Sequence, residues 1–281
     1  MQGYNEELIK KVQRKNLEMA EYFVAFCEAN NLLTYFCGGG CIGAVRNKGF
    51  IPWDDDLDFF MPRDDYEKLK TLWKDTDKYV LLYPSDSYND HNMFMTLRDK
   101  STTMIRPLQK GLDIPHGIAM DIFPLDGYPP LKIQRMAQVM WGLIYQLFCS
   151  QVVPANHGVG LKIIGKASLS LVKNKKLRYK IWKFAEIRMS KYKIADCDSI
   201  TEICAGPYYM KNRYPKHCFS SAVKFDFEDT RMPVPVGYDE YLKIAFGDYM
   251  KLPPEEKRKP GHTAILIDTD KPYTEYREIY M

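Results

Sequence analysis

Between residues 5 and 30, Leu8, Ile9, Val12, Leu17, Tyr22, Phe23 and Phe26 recur near helical spacing, which predicts an opening amphipathic helix. The period then shortens. Residues 32–37 form a β-type run that ends at Gly38, Gly39 and Gly40, and CIGAVRNK after it reads as a short helix. Residues 56–61 alternate as a second strand. After Pro62, the pattern Asp64-x-x-Glu67 is an acidic variant of a capping box, predicting a helix to about Trp73. Further strands are expected at 79–83, 93–98 and 118–123, the last stopped by Pro124 and the Asp126-Gly127 turn. Short, proline-punctuated pieces follow from about Phe225, then a helix over 239–246.

The pattern changes after Pro129-Pro130. Residues 136–153 carry no charge but hold three glutamines, and their length is borderline for a bilayer span. Polar groups are costly in hydrocarbon, so a buried or membrane-grazing helix is expected rather than a spanning one. Between Leu161 and Lys193 stand eleven Lys or Arg against a single acid, Glu186. That segment is therefore +10, leaving −6 for the rest of a chain whose net charge is +4. Leu169, Leu171, Val172, Leu177, Ile181, Trp182 and Phe184 interleave with these cations. Two readings fit: a cationic amphipathic surface for something anionic, or a solvated face over a core stripe.

At 281 residues and 46% hydrophobic content, the chain can bury a substantial core. The expected organisation is a core over 1–130, a helical basic insertion over 131–215 on the acceptor or membrane side, and a C-terminal part, 216–281, packed on the core. The opening residues lack an apolar leader pattern, and seven irregularly spaced cysteines suggest reduced thiols in a cytoplasm. Cys197, Cys204, His217 and Cys218 lack a CxxC knuckle, so they read as buried thiols rather than zinc ligands. No nucleic-acid partner is expected.

The chemistry concentrates in IPWDDDLDFFM, where Asp54, Asp55, Asp56 and Asp58 interrupt an apolar run. On an extended strand Asp54, Asp56 and Asp58 share one face. Carboxylates so crowded raise one another's pKa, and a divalent cation removes that cost. Hard oxygen ligands at this spacing suit Mg²⁺ or Mn²⁺, which share coordination with phosphates. An EF-hand would need Gly and Glu where Phe59 and Asp65 stand. Gly38 to Gly43 matches a dinucleotide G-x-G-x-x-G, yet one ribose would not explain four acids. The glycine turn instead suits a phosphate held by backbone N–H groups at a helix start, without the Lys-Ser/Thr of a Walker loop. In HGIAMDIFPLDG, Asp121 lies mid-strand, a costly place for an unpaired acid; a third cluster member explains it better than a structural ion pair.

The segments GGGCIGAVRNKGFIPWDDDLDFFMPRDDYEKL (38–69), GIAMDIFPLDG (117–127) and YLKIAFGDYMKLPPEEKR (241–258) together resemble the LicD family of phosphocholine transferases and fukutin-type proteins, within the nucleotidyltransferase superfamily. The basic middle carries no part of this resemblance. The resemblance implies an α+β fold with a nucleotidyltransferase-like mixed sheet flanked by helices. It also implies metal at the diphosphate of a CDP-linked donor and movement of phosphocholine, or a similar phospho-group, to a sugar hydroxyl of a teichoic acid or lipopolysaccharide precursor. Carried over residue by residue, Asp56 and Asp58 become metal ligands and catalytic residues, Asp121 the third carboxylate, and Asp54 an outer partner. The GGG turn departs from the glycine-glycine or glycine-serine/threonine usual in the superfamily; a serine or threonine hydroxyl to the phosphate is missing, so backbone donors must serve alone.

Phosphoryl-transfer physics assigns the rest as expectations. Gly38, Gly39 and Gly40 would cradle phosphate, while Arg46, Lys48 and Arg98 would pair donor oxygens, the alternative for each being a plain surface charge. Trp53 would either stack on choline or belong to the core. Asp121, ahead of His116, would take the acceptor proton. The expected partners are CDP-choline or a related donor, a lipid-linked glycan acceptor and the anionic inner face of the cell membrane. The alternatives are a DxD glycosyltransferase using a nucleotide-sugar and a non-catalytic polyanion- or lipid-binding module.

Overall fold

The computed structural model describes residues 5–153 and 159–281. Helix α1 (Glu6–Ala29) starts at an Asn5 cap whose side chain accepts from the Leu8 N–H. Then follow β1 (Tyr35–Phe36), α2 (Gly38–Ile42), which widens into a π-turn over Gly43–Asn47, β2 (Asp58–Pro62), α3 (Arg63–Leu72), β3 (Tyr79–Leu82), β4 (Met95–Asp99), β5 (Thr103–Ile105) and β6 (Ile118–Tyr128). The middle of the chain supplies α4 (Lys132–Ser150), α5 (Val159–Leu171), α6 (Lys175–Met189) and β7 (Ser199–Thr201). The C-terminal part holds β8 (Tyr214–Pro215), β9 (Ala222–Phe227), β10 (Thr230–Pro235), α7 (Tyr238–Phe246), β11 (Leu266–Asp268) and α8 (Arg277–Tyr280).

The main sheet is mixed, ordered β1-β2-β6-β4-β3, with β7 and β8 continuing from the far end of β6. Its central pair, β2 and β6, is parallel; the other pairs are antiparallel. Alternation gives the sheet two faces. Phe59 meets Phe23 of α1 on one face, at a ring separation of 5.1 Å. On the other, Phe60 meets Phe219 and Tyr241. The β9–β10 hairpin closes the edge through Phe227 on Phe36. A second apolar cluster joins α4 and α6 through Tyr145, Phe148, Trp182 and Met189.

Three local expectations change. The capping box does not form: Arg63 already belongs to α3, so Asp64 lies inside the first turn, and Asp65 takes the Leu33 N–H instead. Strand β6 does not stop at Pro124. That proline stands opposite Met61 of β2, while on its other side β4 has ended at Ile122 and β7 begins at Asp126, so no ladder bond is asked of it there. Gly127 continues the strand opposite Ile200 of β7, and a Cβ there would come within 2.6 Å of the Tyr192 carbonyl. The 136–153 segment lies largely within α4, and no described helix is long and apolar enough to cross a membrane. All seven cysteines are buried free thiols.

Candidate functional site

Helix α1 places the acidic loop from behind. Gln13 Nε2 donates to the carbonyls of Asp54 (2.8 Å) and Ile51 (3.3 Å), and Asn16 Nδ2 donates to that of Asp55 (3.0 Å). Asn16 is wholly buried on the helix face that otherwise carries Val12 and Ala20. The loop runs extended into β2, so Asp55, Leu57 and Phe59 point inward while Asp54, Asp56 and Asp58 stay partly open on the opposite side.

Asp58 opens β2 in register with Asp121 of β6, one strand spacing away, about 4.8 Å between backbones. Asp121 Oδ1 accepts from Thr96 Oγ1 (3.2 Å), and its Oδ2 lies 4.0 Å from Arg106. Burial, then the charges of Asp56 and Asp55, hold Asp54 well above the usual carboxylate range. Burial also raises Asp56, with His262 and Arg106 opposing. Asp58 is pushed well up by burial and by Asp56, Asp121 and Asp54. Its Oδ1 is buried without a hydrogen-bond partner among the described residues.

Asp55 faces the C-terminal part of the chain. Its Oδ1 accepts from the Gly261 N–H (3.0 Å) and lies 3.4 Å from His262 Nδ1, which is itself 3.5 Å from Asp56 Oδ2. Asp55, Asp56 and His262 thus offer ligand atoms within 4.8 Å of one another. Burial opposes protonation of His262, but its contact with Asp55 and the charge of Asp56 raise its pKa overall. A cleft of about 290 Å³ opens beside it, lined by Asn92, Arg106, Leu108 and His262 among others.

The glycine turn packs directly on this loop. A Cβ on Gly39 would stand 1.9 Å from Asp54 Oδ2. Gly38 adopts φ +52°, and its N–H donates to the Tyr241 hydroxyl (3.0 Å), so the turn's first backbone donor is taken by the protein itself.

Several expected donor contacts lie elsewhere. Arg46 sits at the far end of the helical stretch, roughly 12 Å from Gly38 by helical rise, and donates to the Tyr249 carbonyl (2.8 Å). Lys48 is exposed at the left-handed residue that closes the π-turn. Arg98 is 1% exposed and locked to Asp90 (2.8 Å), Gln109 and the Pro115 carbonyl. His116 is buried against Tyr280, with Nε2 on the Leu112 carbonyl, and burial lowers its pKa. Trp53 is half-buried under the Arg258 guanidinium, 5.8 Å from the ring centroid. His217 and Cys218 gather with Glu240, without Cys197 or Cys204. The site instead contains Gln13, Asn16, Thr96, Arg106 and His262. For Asn16 a signal existed, a polar residue inside an apolar helical stripe; the others had none.

The family model described as LicD/FKTN/FKRP, nucleotidyltransferase domain, matches residues 31–126, which span the glycine turn, the acidic loop and Asp121. Over 265 residues the chain is 31% identical to the lipopolysaccharide cholinephosphotransferase LicD of Haemophilus influenzae. That alignment covers 90% of this chain and 96% of the relative.

Proposed function

The chain belongs to the LicD family, and on that footing we propose that it transfers phosphocholine, or a closely similar phospho-group, from a CDP-linked donor to a sugar hydroxyl of a cell-surface glycan precursor, releasing CMP. The observation that carries this reading is the pairing of Asp58 with Asp121 across two parallel strands, with Asp56 and Asp54 on the same side. Acids raised by burial and mutual repulsion, one of them with an unpartnered oxygen, fit a hard divalent cation, Mg²⁺ or Mn²⁺. Asp56, Asp58 and Asp121 would hold it, with Asp54 behind them. Bound there, the cation supplies charge neutralisation at the donor pyrophosphate and at departing CMP.

The protein's own groups do the rest. Arg106, rather than the enclosed Arg98, faces the oxygens of the donor. The Thr96 hydroxyl steadies one oxygen of Asp121, the carboxylate assigned to receive the acceptor's proton. His116 is too enclosed for that task.

The test is CMP release from CDP-choline with Mg²⁺. Asp56→Ala and Asp58→Ala are expected to lower turnover at least ~100-fold. Their metal-free melting temperatures should hold or rise, because each substitution relieves repulsion. Metal-dependent turnover retained in both variants overturns the assignment.

A second component concerns the acceptor. Helix α4 exposes Ile133 (69%), Met136 (67%), Met140 and Leu143, and α6 exposes Phe184 and Ile187. Trp141 against Phe184, 5.3 Å apart, joins the two helices. Lys180, Arg188 and Lys191 are exposed near this apolar face. Such a surface supports peripheral docking on an anionic bilayer that presents a lipid-linked acceptor.

A further inference from the structure

A choline donor ends in a quaternary ammonium, which carries no N–H and is recognised by aromatic faces and surrounding negative charge. Trp53, the aromatic residue next to the acids in the chain, already has a guanidinium over its ring. A different pair stands on the carboxylate face itself. Along β6, Asp121 and Phe123 point the same way, about 7 Å apart by strand rise. Phe94 stands one residue ahead of β4, two positions before Thr96. The ladder ends with Met95 opposite Ile122 and Thr96 opposite Asp121, and the chain just ahead of it brings Phe94 onto Phe123. The two rings meet at 4.3 Å with their planes tilted by 52°. Thr96 is hydrogen-bonded to Asp121, so ring pair and carboxylate are held as one unit. Both phenylalanines are half-buried, and Phe123 is backed edge-on by the buried Phe60.

We propose that Phe94 and Phe123 form the seat of the donor's quaternary ammonium. The assignment rests on the phosphocholine-transfer reading. An ester oxygen and two methylenes separate phosphorus from nitrogen in phosphocholine. The two residues from Asp121 to Phe123 span a comparable length, so a phosphate at the carboxylates delivers its ammonium to the rings. A primary ammonium would keep its bonds to water and gain less from the same walls.

The experiment measures calorimetric Kd values for CDP, CDP-choline and CDP-ethanolamine with Mg²⁺, on the wild type and on Phe94→Leu, Phe123→Leu and Phe94→Tyr. The wild type is expected to prefer CDP-choline to CDP-ethanolamine. Either Leu variant should weaken CDP-choline binding about ten-fold, leave CDP within two-fold, and bring the choline preference toward one. Phe94→Tyr, which keeps a π face, should retain the preference. A wild-type preference that survives in Phe94→Leu overturns the seat alone, and so does an equal loss for CDP and CDP-choline, which marks a structural effect. Wild-type protein that binds CDP with no preference for CDP-choline overturns the phosphocholine reading, and the seat with it.

Discussion

Glu202, just beyond β7, is 4% exposed and accepts hydrogen bonds from Asn212 Nδ2 (2.9 Å) and the Tyr214 hydroxyl. Burial pushes its pKa up to about 7, although both bonds pull the other way. The folded chain therefore keeps a proton that the unfolded chain releases above about pH 4.3. The stability contributed by that proton is complete below the unfolded value and is lost as pH rises through 7, a difference of roughly 3 kcal/mol. Glu202→Gln should melt close to wild type at pH 5 and several degrees higher at pH 8; equal shifts at both pH values would contradict the assignment. The same logic of burial made the site partly legible. Asp56, Asp58 and Asp121 stand out in the sequence because acids in apolar strands are costly without a partner. Arg98 and Arg106 were indistinguishable there. Only folding shows one enclosed by Asp90 and the other facing Asp121.

Among the elements, β6 does the most to join the molecule. Beyond Pro124 its Asp126, wholly buried, receives a forked pair of hydrogen bonds from Arg63 at 2.8 and 2.7 Å. Arg63 also lies 3.8 Å from Glu186, so one guanidinium ties β2's end and α3 to β6 and to α6 in the basic middle of the chain. Arg63→Ala should cost about 3–5 kcal/mol in denaturant unfolding, since it strands a buried carboxylate. Arg63→Lys should recover only part, lacking the fork. A loss of under ~1 kcal/mol for Arg63→Ala would show that the pair is not holding these elements together. Helices α1 and α7 and strands β2 to β4 were readable from periodicity to within a few residues. The length of β6 was not, because the residues that excuse Pro124 belong to β4 and β7.

For the whole molecule, the distribution of charge and exposed apolar surface is the dominant physical feature. The expected cationic stretch is two helices, α5 and α6, and its apolar residues divide: Trp182 enters the core between α4 and α6, while Leu177 and Phe184 remain outside. Liposome flotation should therefore require anionic lipid and weaken between low and physiological salt. Met136→Ser combined with Ile187→Ser should reduce binding with little change in the melting temperature, since both side chains are more than half exposed. Flotation that ignores salt and lipid charge would refute the docking face. The sequence alone determined the alternating acids, the glycine turn before them and the concentration of positive charge, because each is a cost or a period expressed within a few neighbouring residues. Tertiary structure alone decided that His262 reaches Asp55 and Asp56, that Tyr241 caps Gly38, and that Phe94 lies on Phe123. Those partners are separated along the chain, and no local pattern encodes which distant segments folding will bring side by side.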